Sequence, residues 1–200
     1  MTKTQELLLF IKQAKICRSR DAVERGFTRM EIAALFKAGK IERLARGLYQ
    51  VSGAPVLPNQ SYVELAIRCP NAVICLLSAL QFHNITTQLP HEIWCAIEGT
   101  TRAPKMTYPR LRIVRFVGTA YSQGIEEHVI AGSKIKVYSV AKTVADLFRF
   151  RNKTGLDIAM EALREAIRGK KATLDDIRKM AKLRGVYNMM RPYIEMEISS

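Results

Sequence analysis

Acidic residues are scarce in this 200-residue chain. Its 18 Asp and Glu stand against 32 Lys and Arg, a formal net charge of +14. So large an excess points to a polyanionic partner or an acidic surface. Other shortages remove whole classes of chemistry. The four cysteines, Cys17, Cys69, Cys75 and Cys95, form no CxxC pair. Three of them sit in apolar runs, so they read as free, buried thiols of a reducing compartment. The histidines, His83, His91 and His128, are scattered and outline no zinc site. No acid is followed by the E-x-K that a restriction-endonuclease-like nuclease needs to hold its metal. No glycine-rich loop could cradle a nucleotide phosphate, which argues against a kinase of known pattern. The apolar run in "MTKTQELLLFIKQ" is too short and too charged for a signal peptide or a membrane span. The expectation is a cytoplasmic protein with no membrane partner, cofactor, metal or catalytic residue.

The basic excess is clustered. Residues 1–60 hold 11 basic and 5 acidic residues, and residues 61–100 hold 1 and 3. Residues 101–120 carry five cations and no acid. Two basic regions therefore flank a near-neutral stretch. The hydrophobic content of 48% is enough for a real core.

Local signals organise the first basic region. Leu7 to Ile11 begin an amphipathic helix that ends near Lys15. Ser19 can cap a short second helix, stopped by Gly26. Thr28 and Glu31 fit a capping box at the start of "TRMEIAALFKAGK", and Gly39 ends that third helix. "KIERLARGLYQV" then reads as a hairpin with Ala45, Arg46 and Gly47 at its tip. This order of elements is that of a winged helix-turn-helix. A helical wheel turns Ile32, Leu35 and Phe36 toward the core. It turns Met30, Ala33, Ala34 and Lys37 outward, with Arg29 on the flank. A small, uncharged face ending in a cation suits a major groove. The candidate DNA-binding residues are Arg18, Arg20, Thr28, Arg29, Met30, Ala33, Lys37, Arg43 and Arg46. Arg43 and Arg46 on the wing would meet phosphates or a narrow minor groove, and Arg18 and Arg20 the flanking backbone. With few bidentate base readers, the domain is expected to need two half-sites.

"SGAPVLPNQ" reads as a linker over residues 53–60, separating a winged-helix domain at 1–52 from a second domain at 61–200. Ser61 and Glu64 suggest another capping box. Strands are expected at "AVIC", 92–98, 110–117, 128–130 and 134–138. Helices are expected at 76–82, 140–151, 156–168, 174–184 and 187–195. The fold class is α+β, a mixed sheet with a helical C-terminal tail. In "TTRAPKMTYPRLRIVRFVG", strand alternation puts Arg110 and Arg112 on one face with Leu111 and Ile113 inward, and Arg115 joins them after a one-residue slip. Arg102 and Lys105 precede them in a loop. This run is either a surface for RNA, DNA or an acidic partner, or an edge strand guarded by cations.

Two pairs invite catalytic readings. Ser78 and His83 lie about 140° apart on a helix with no acid to orient the imidazole, so a structural helix end with Asn84 as cap is favoured. Lys142 and Asp146 are i,i+4 and read first as partners on a helix face, next as a Thr143 or Asp146 cap or inter-element hydrogen bond, and last as catalytic.

Three segments, "TRMEIAALFKAGKIERLARGLYQV", "CLLSALQFHNITTQLPHEIWCAI" and "VYSVAKTVADLFRFRNKTGLDIAMEAL", resemble the AbiEi-like antitoxins of type IV toxin–antitoxin systems, linked to abortive infection. The similarity covers about residues 5 to 170. It implies a winged helix that binds double-stranded operator DNA, with inverted repeats, and represses its own operon. It also implies a C-terminal domain that counteracts a nucleotidyltransferase-like toxin without a stable complex. Arg102, Lys105, Arg110, Arg112 and Arg115 would be the antitoxin surface. The oligomeric state is open, a monomer pairing on DNA being one form. Two rivals remain: a transcription factor with a ligand-sensing C-terminal domain, and an enzyme acting on the toxin or on nucleic acid.

Overall fold

A computed structural model describes residues 2–199, apart from 56–58, 87–89, 105 and 107. The fold is α+β, and the chain divides into two compact units. One comprises Met1–Glu64 with Val129–Ser133, the other Leu65–His128 with Lys134–Ser200. Three of the residues expected to form the linker, 56–58, lie outside the described residues.

The first unit runs α1 (Lys3–Ala14), β1 (Cys17–Arg18), α2 (Ser19–Glu24), α3 (Arg29–Lys37), β2 (Ile41–Ala45) and β3 (Leu48–Val51). Leu7 and Ile11 project from one stripe of α1, and Ile32 and Leu35 from one stripe of α3. They close with Cys17, Ala22 and Ile41 into a small core. The three strands form an antiparallel sheet of order β1-β3-β2. This is a winged helix-turn-helix, with β2 and β3 as the wing.

Two local expectations change. Ser19 does not cap α2. Arg18 occupies that position and makes no side-chain cap bond. Strand pairing sets the backbone here instead: Cys17 and Arg18 face Tyr49 and Leu48, and Ser19 N–H donates to the Gly47 carbonyl at 2.8 Å. Phe36 is not a core residue but 44% exposed. It lies about 100° beyond Leu35, on the rim of the stripe that Ile32 and Leu35 define, and meets Tyr49 edge-on with ring centroids 6.3 Å apart.

Beyond the wing the chain continues with α4 (Gln60–Arg68), β4 (Val73–Ile74), α5 (Leu76–Phe82), β5 (Ile93–Glu98), β6 (Leu111–Phe116), α6 (Thr119–Ser122), β7 (Ile125–Ile130) and β8 (Ser133–Tyr138). Its helical tail is α7 (Val140–Arg149), α8 (Arg151–Thr154), α9 (Leu156–Arg168), α10 (Leu174–Leu183) and α11 (Tyr187–Ser199). The mixed five-stranded sheet has the order β6-β5-β4-β8-β7, with β4 antiparallel to β5 and parallel to β8. Ser61 falls inside α4 rather than before it.

α7 organises the second unit. It packs against α5, α9 and α10, and every residue from Val140 to Phe148 is buried. It therefore has no solvent face on which Lys142 and Asp146 could pair as surface partners. Both side chains are fully buried, and the Asp146 carboxylate accepts from Lys142 Nζ and from Arg184 Nε at the end of α10. Lys142 Nζ also sits over the rings of Tyr138 and Phe116, at 4.2 and 4.5 Å from their centroids. Burial pushes the ammonium below the ordinary lysine range, against the pull of Asp146. The Ser78 and His83 pair is structural: Ser78 Oγ accepts from Trp94 N–H at 2.9 Å, and His83 Nε2 lies 2.8 Å from the Tyr138 carbonyl. Asn84 takes the left-handed conformation (φ 54°) just past α5.

Asp146→Ala leaves two cations facing an apolar core. It is expected to cost about 3–5 kcal/mol, the usual penalty for stranding a buried charge, read from urea unfolding. Among the thiols, burial pushes Cys17 up to about 11 and Cys95 up to about 12, and holds Cys75 well above its ordinary range. Only the half-buried Cys69 should react readily with a thiol reagent at pH 8 in the native protein. Fast labelling of two or more thiols would show that this core opens.

Candidate nucleic-acid interface

The third helix is held at its start by a reciprocal cap. Thr28 Oγ1 accepts from Glu31 N–H at 3.2 Å, and the Glu31 carboxylate accepts from Thr28 N–H at 2.7 Å and from its hydroxyl at 3.0 Å. These bonds pull the Glu31 carboxyl below its ordinary value of 4.5. Thr28 is therefore committed to the helix start. With Ile32 and Leu35 inside, the exposed face carries Arg29, Met30, Ala33, Ala34 and Lys37. Met30 is 82% exposed, an unusual position for so apolar a side chain.

The wing reaches one residue further than its turn chemistry suggested. β2 extends through Ala45, so the connection is Arg46–Gly47 alone. The register shifts between Arg43 and Ala45, a bulge that re-aims the end of the strand. Gly47 has φ 75°, and a Cβ there would stand 3.1 Å from Ser19 Oγ, so the tip needs glycine for both reasons. Arg46 is exposed on the turn. Arg43 lies over the Phe36 ring, its guanidinium carbon 5.8 Å from the centroid. Tyr49, Phe36 and Arg43 thus link wing to helix, a connection the sequence reading missed by placing Phe36 in the core. A wheel that treated rim positions separately would have found it.

The flanking cations are not equivalent. Arg18 is half-buried in β1. Arg20 is exposed but pairs with Glu24 at 3.1 Å, one turn along α2.

The cation-rich run 101–120 does not form one surface. Lys105 lies outside the described residues. Arg102 lines a depression of about 500 Å³ with Arg68, Glu98 and Lys136. Arg110 and Arg112 line another, of about 610 Å³, with Glu92 and Lys153. β6 pairs with β5 in unbroken parallel register from Leu111 to Phe116, so there is no slip. Arg115 consequently lies on the opposite face from Arg112. The inward residues also change. Val114 and Phe116, which share the parity of Arg112, enter the core, while Leu111 and Ile113 are only half-buried. Arg112 instead covers Trp94 at 4.4 Å from the ring.

Residues 5–52 match the family model described as "Transcriptional regulator, AbiEi antitoxin". The similarity to that regulator family is confined to this N-terminal segment. The match ends with the wing and leaves the larger unit outside it. The fold is similar to the crystal structure of the RV2827C protein from Mycobacterium tuberculosis, at a TM-score of 0.58 and 12% identity, over 90% of this chain and 75% of that one. No curated protein matches the sequence. Among the described residues, no helix is long and apolar enough to cross a membrane.

The winged helix gives an acid test of its cap. Glu31 has its folded pKa below the unfolded one, so its contribution is present above pH 4.5 and lost as pH falls through the depressed value. Glu31→Gln should flatten that acid limb in a pH series of thermal melts. An unchanged limb would mean that the cap contributes nothing to the stability of the domain.

Proposed function

We propose that the chain is a DNA-binding antitoxin of the type IV kind that represses its own operon and has no catalytic activity. The observation that carries this reading is the exposed face of α3, formed by Arg29, Met30, Ala33, Ala34 and Lys37, in a segment that also holds an arginine-tipped wing and matches a regulator family. In this reading Met30 and Ala33 approach thymine methyls, Lys37 meets a base edge, and Arg46 and Arg43 hold backbone phosphates or enter the minor groove. Arg18, Arg20 and Arg29 secure the flanks. The target is double-stranded operator DNA with two half-sites, in the cytoplasm. The C-terminal unit counteracts a nucleotidyltransferase-like toxin without forming a stable complex, and Arg110 and Arg112 are the part of its basic surface we assign to that role.

Fluorescence anisotropy on the upstream duplex and a scrambled one, at two salt concentrations, tests the first half. Arg46→Ala should weaken both duplexes alike and reduce the salt slope by about one phosphate contact. Lys37→Ala should cost about 1–3 kcal/mol on the operator and less on the scrambled duplex. No loss for either variant would remove DNA as the ligand of this winged helix. For the second half, Arg110→Glu with Arg112→Glu should abolish protection of cells against the toxin while operator binding persists. Full protection by that double variant would leave the two arginines as guards of the β6 edge.

A further inference from the structure

At the C-terminal end of β6, a third depression of about 440 Å³ lies within the second unit. Arg115, Arg149, Lys153 and Arg184 line it, and among the described residues no acid does. Two of these cations are fixed in place. Arg115 Nη1 donates to the carbonyls of Gly99 and Thr101 at 2.6 and 2.8 Å. Both partners are neutral, so the charge of Arg115 stays uncompensated. Arg184 gives Nε to the buried carboxylate of Asp146, which Lys142 already shares. That cluster counts two cations to one anion. Its surplus positive charge lies beneath Phe116, whose ring Arg184 covers at 4.7 Å. Arg149 at the end of α7 and Lys153 in α8 complete the rim, and both are exposed. Between them Phe150 presents a half-buried ring, with Lys153 Nζ 5.8 Å from its centroid.

Rigid guanidinium groups with spare donors are phosphate binders, because the planar fork matches phosphate oxygens. Four cations without an acid match a ligand carrying about four negative charges, and a depression of this size suits a small molecule. An aromatic ring on the wall adds a surface on which a base can stack. The neighbouring depression that shares Lys153 contains Glu92. The acid-free field is therefore local, which favours a compact polyanion over a strand running across the surface.

We propose that this depression binds a free nucleoside triphosphate, with its phosphates between Arg115 and Arg184 and its base against Phe150. Asp146 is then a positioning residue that holds Arg184 toward the ligand. Nothing in this assignment depends on DNA binding by the winged helix.

Calorimetric titration of the full chain with ATP, inorganic triphosphate and a short single-stranded oligonucleotide tests it. ATP should bind one to one and about tenfold more tightly than triphosphate, the increment of one stacked base. Arg149→Ala with Lys153→Ala touches only exposed side chains, so it should leave the unfolding midpoint in place. It should weaken ATP by about a hundredfold, the loss of two charge-assisted bonds. Phe150→Leu should close the gap between ATP and triphosphate. Four outcomes would overturn the proposal: no ATP binding at millimolar concentration, equal affinity for triphosphate, tighter binding of the oligonucleotide, or rim variants without effect.

Discussion

The carboxylate of Asp146 is the constraint on which the larger unit depends. It lies in the middle of a helix with no solvent face and is fully buried. A lone ion in such a place would be expelled or neutralised. Here it joins α7 to itself through Lys142 and to the end of α10 through Arg184. Lys142 in turn lies against Phe116 of β6 and Tyr138 of β8, so one anion coordinates two helices and two strands. Hydrophobic packing around α7 could tolerate small sliding of its neighbours. A shared carboxylate with two donors cannot, and it fixes the register of α7 and α10.

The smaller unit is held by weaker and more local devices. Its core is a handful of aliphatic side chains, so the orientation of α3 relies on the Thr28–Glu31 cap and on the wing. The wing is tied back through Ser19 to Gly47 and through Phe36 to Arg43. These contacts keep two exposed cationic features, the end of α3 and the turn at Arg46, on a rigid frame. Such a frame suits reading a duplex, where small errors in position cost contacts.

Much of the fold was legible in the sequence because local rules governed it. The cap at Thr28, the end of α3 and the apolar runs that form β5 and β8 depend on residues within a few positions of each other. The misreadings have a common source. Ser19 lost its capping role to strand pairing with a segment some thirty residues away. Phe36 stood on the rim of its stripe, where periodicity alone does not decide burial. Lys142 and Asp146 have the spacing of an ordinary surface pair, and only the packing of α5, α9 and α10 around them makes them an interior charge cluster.

The candidate sites divide in the same way. The sequence by itself determined the winged helix, its outward face and its arginine-tipped turn, because all lie within about fifty consecutive residues and follow helical and strand periods. It also determined that 101–120 is basic. Tertiary structure alone decided that those cations face different depressions, because unbroken pairing with β5 puts Arg112 and Arg115 on opposite faces of one strand. It alone brought Arg149, Lys153 and Arg184 to Arg115, since the end of β6, the α7–α8 segment and the end of α10 are far apart in the chain. Charge in a sequence is additive, but a field strong enough to hold an anion depends on distances that only folding sets.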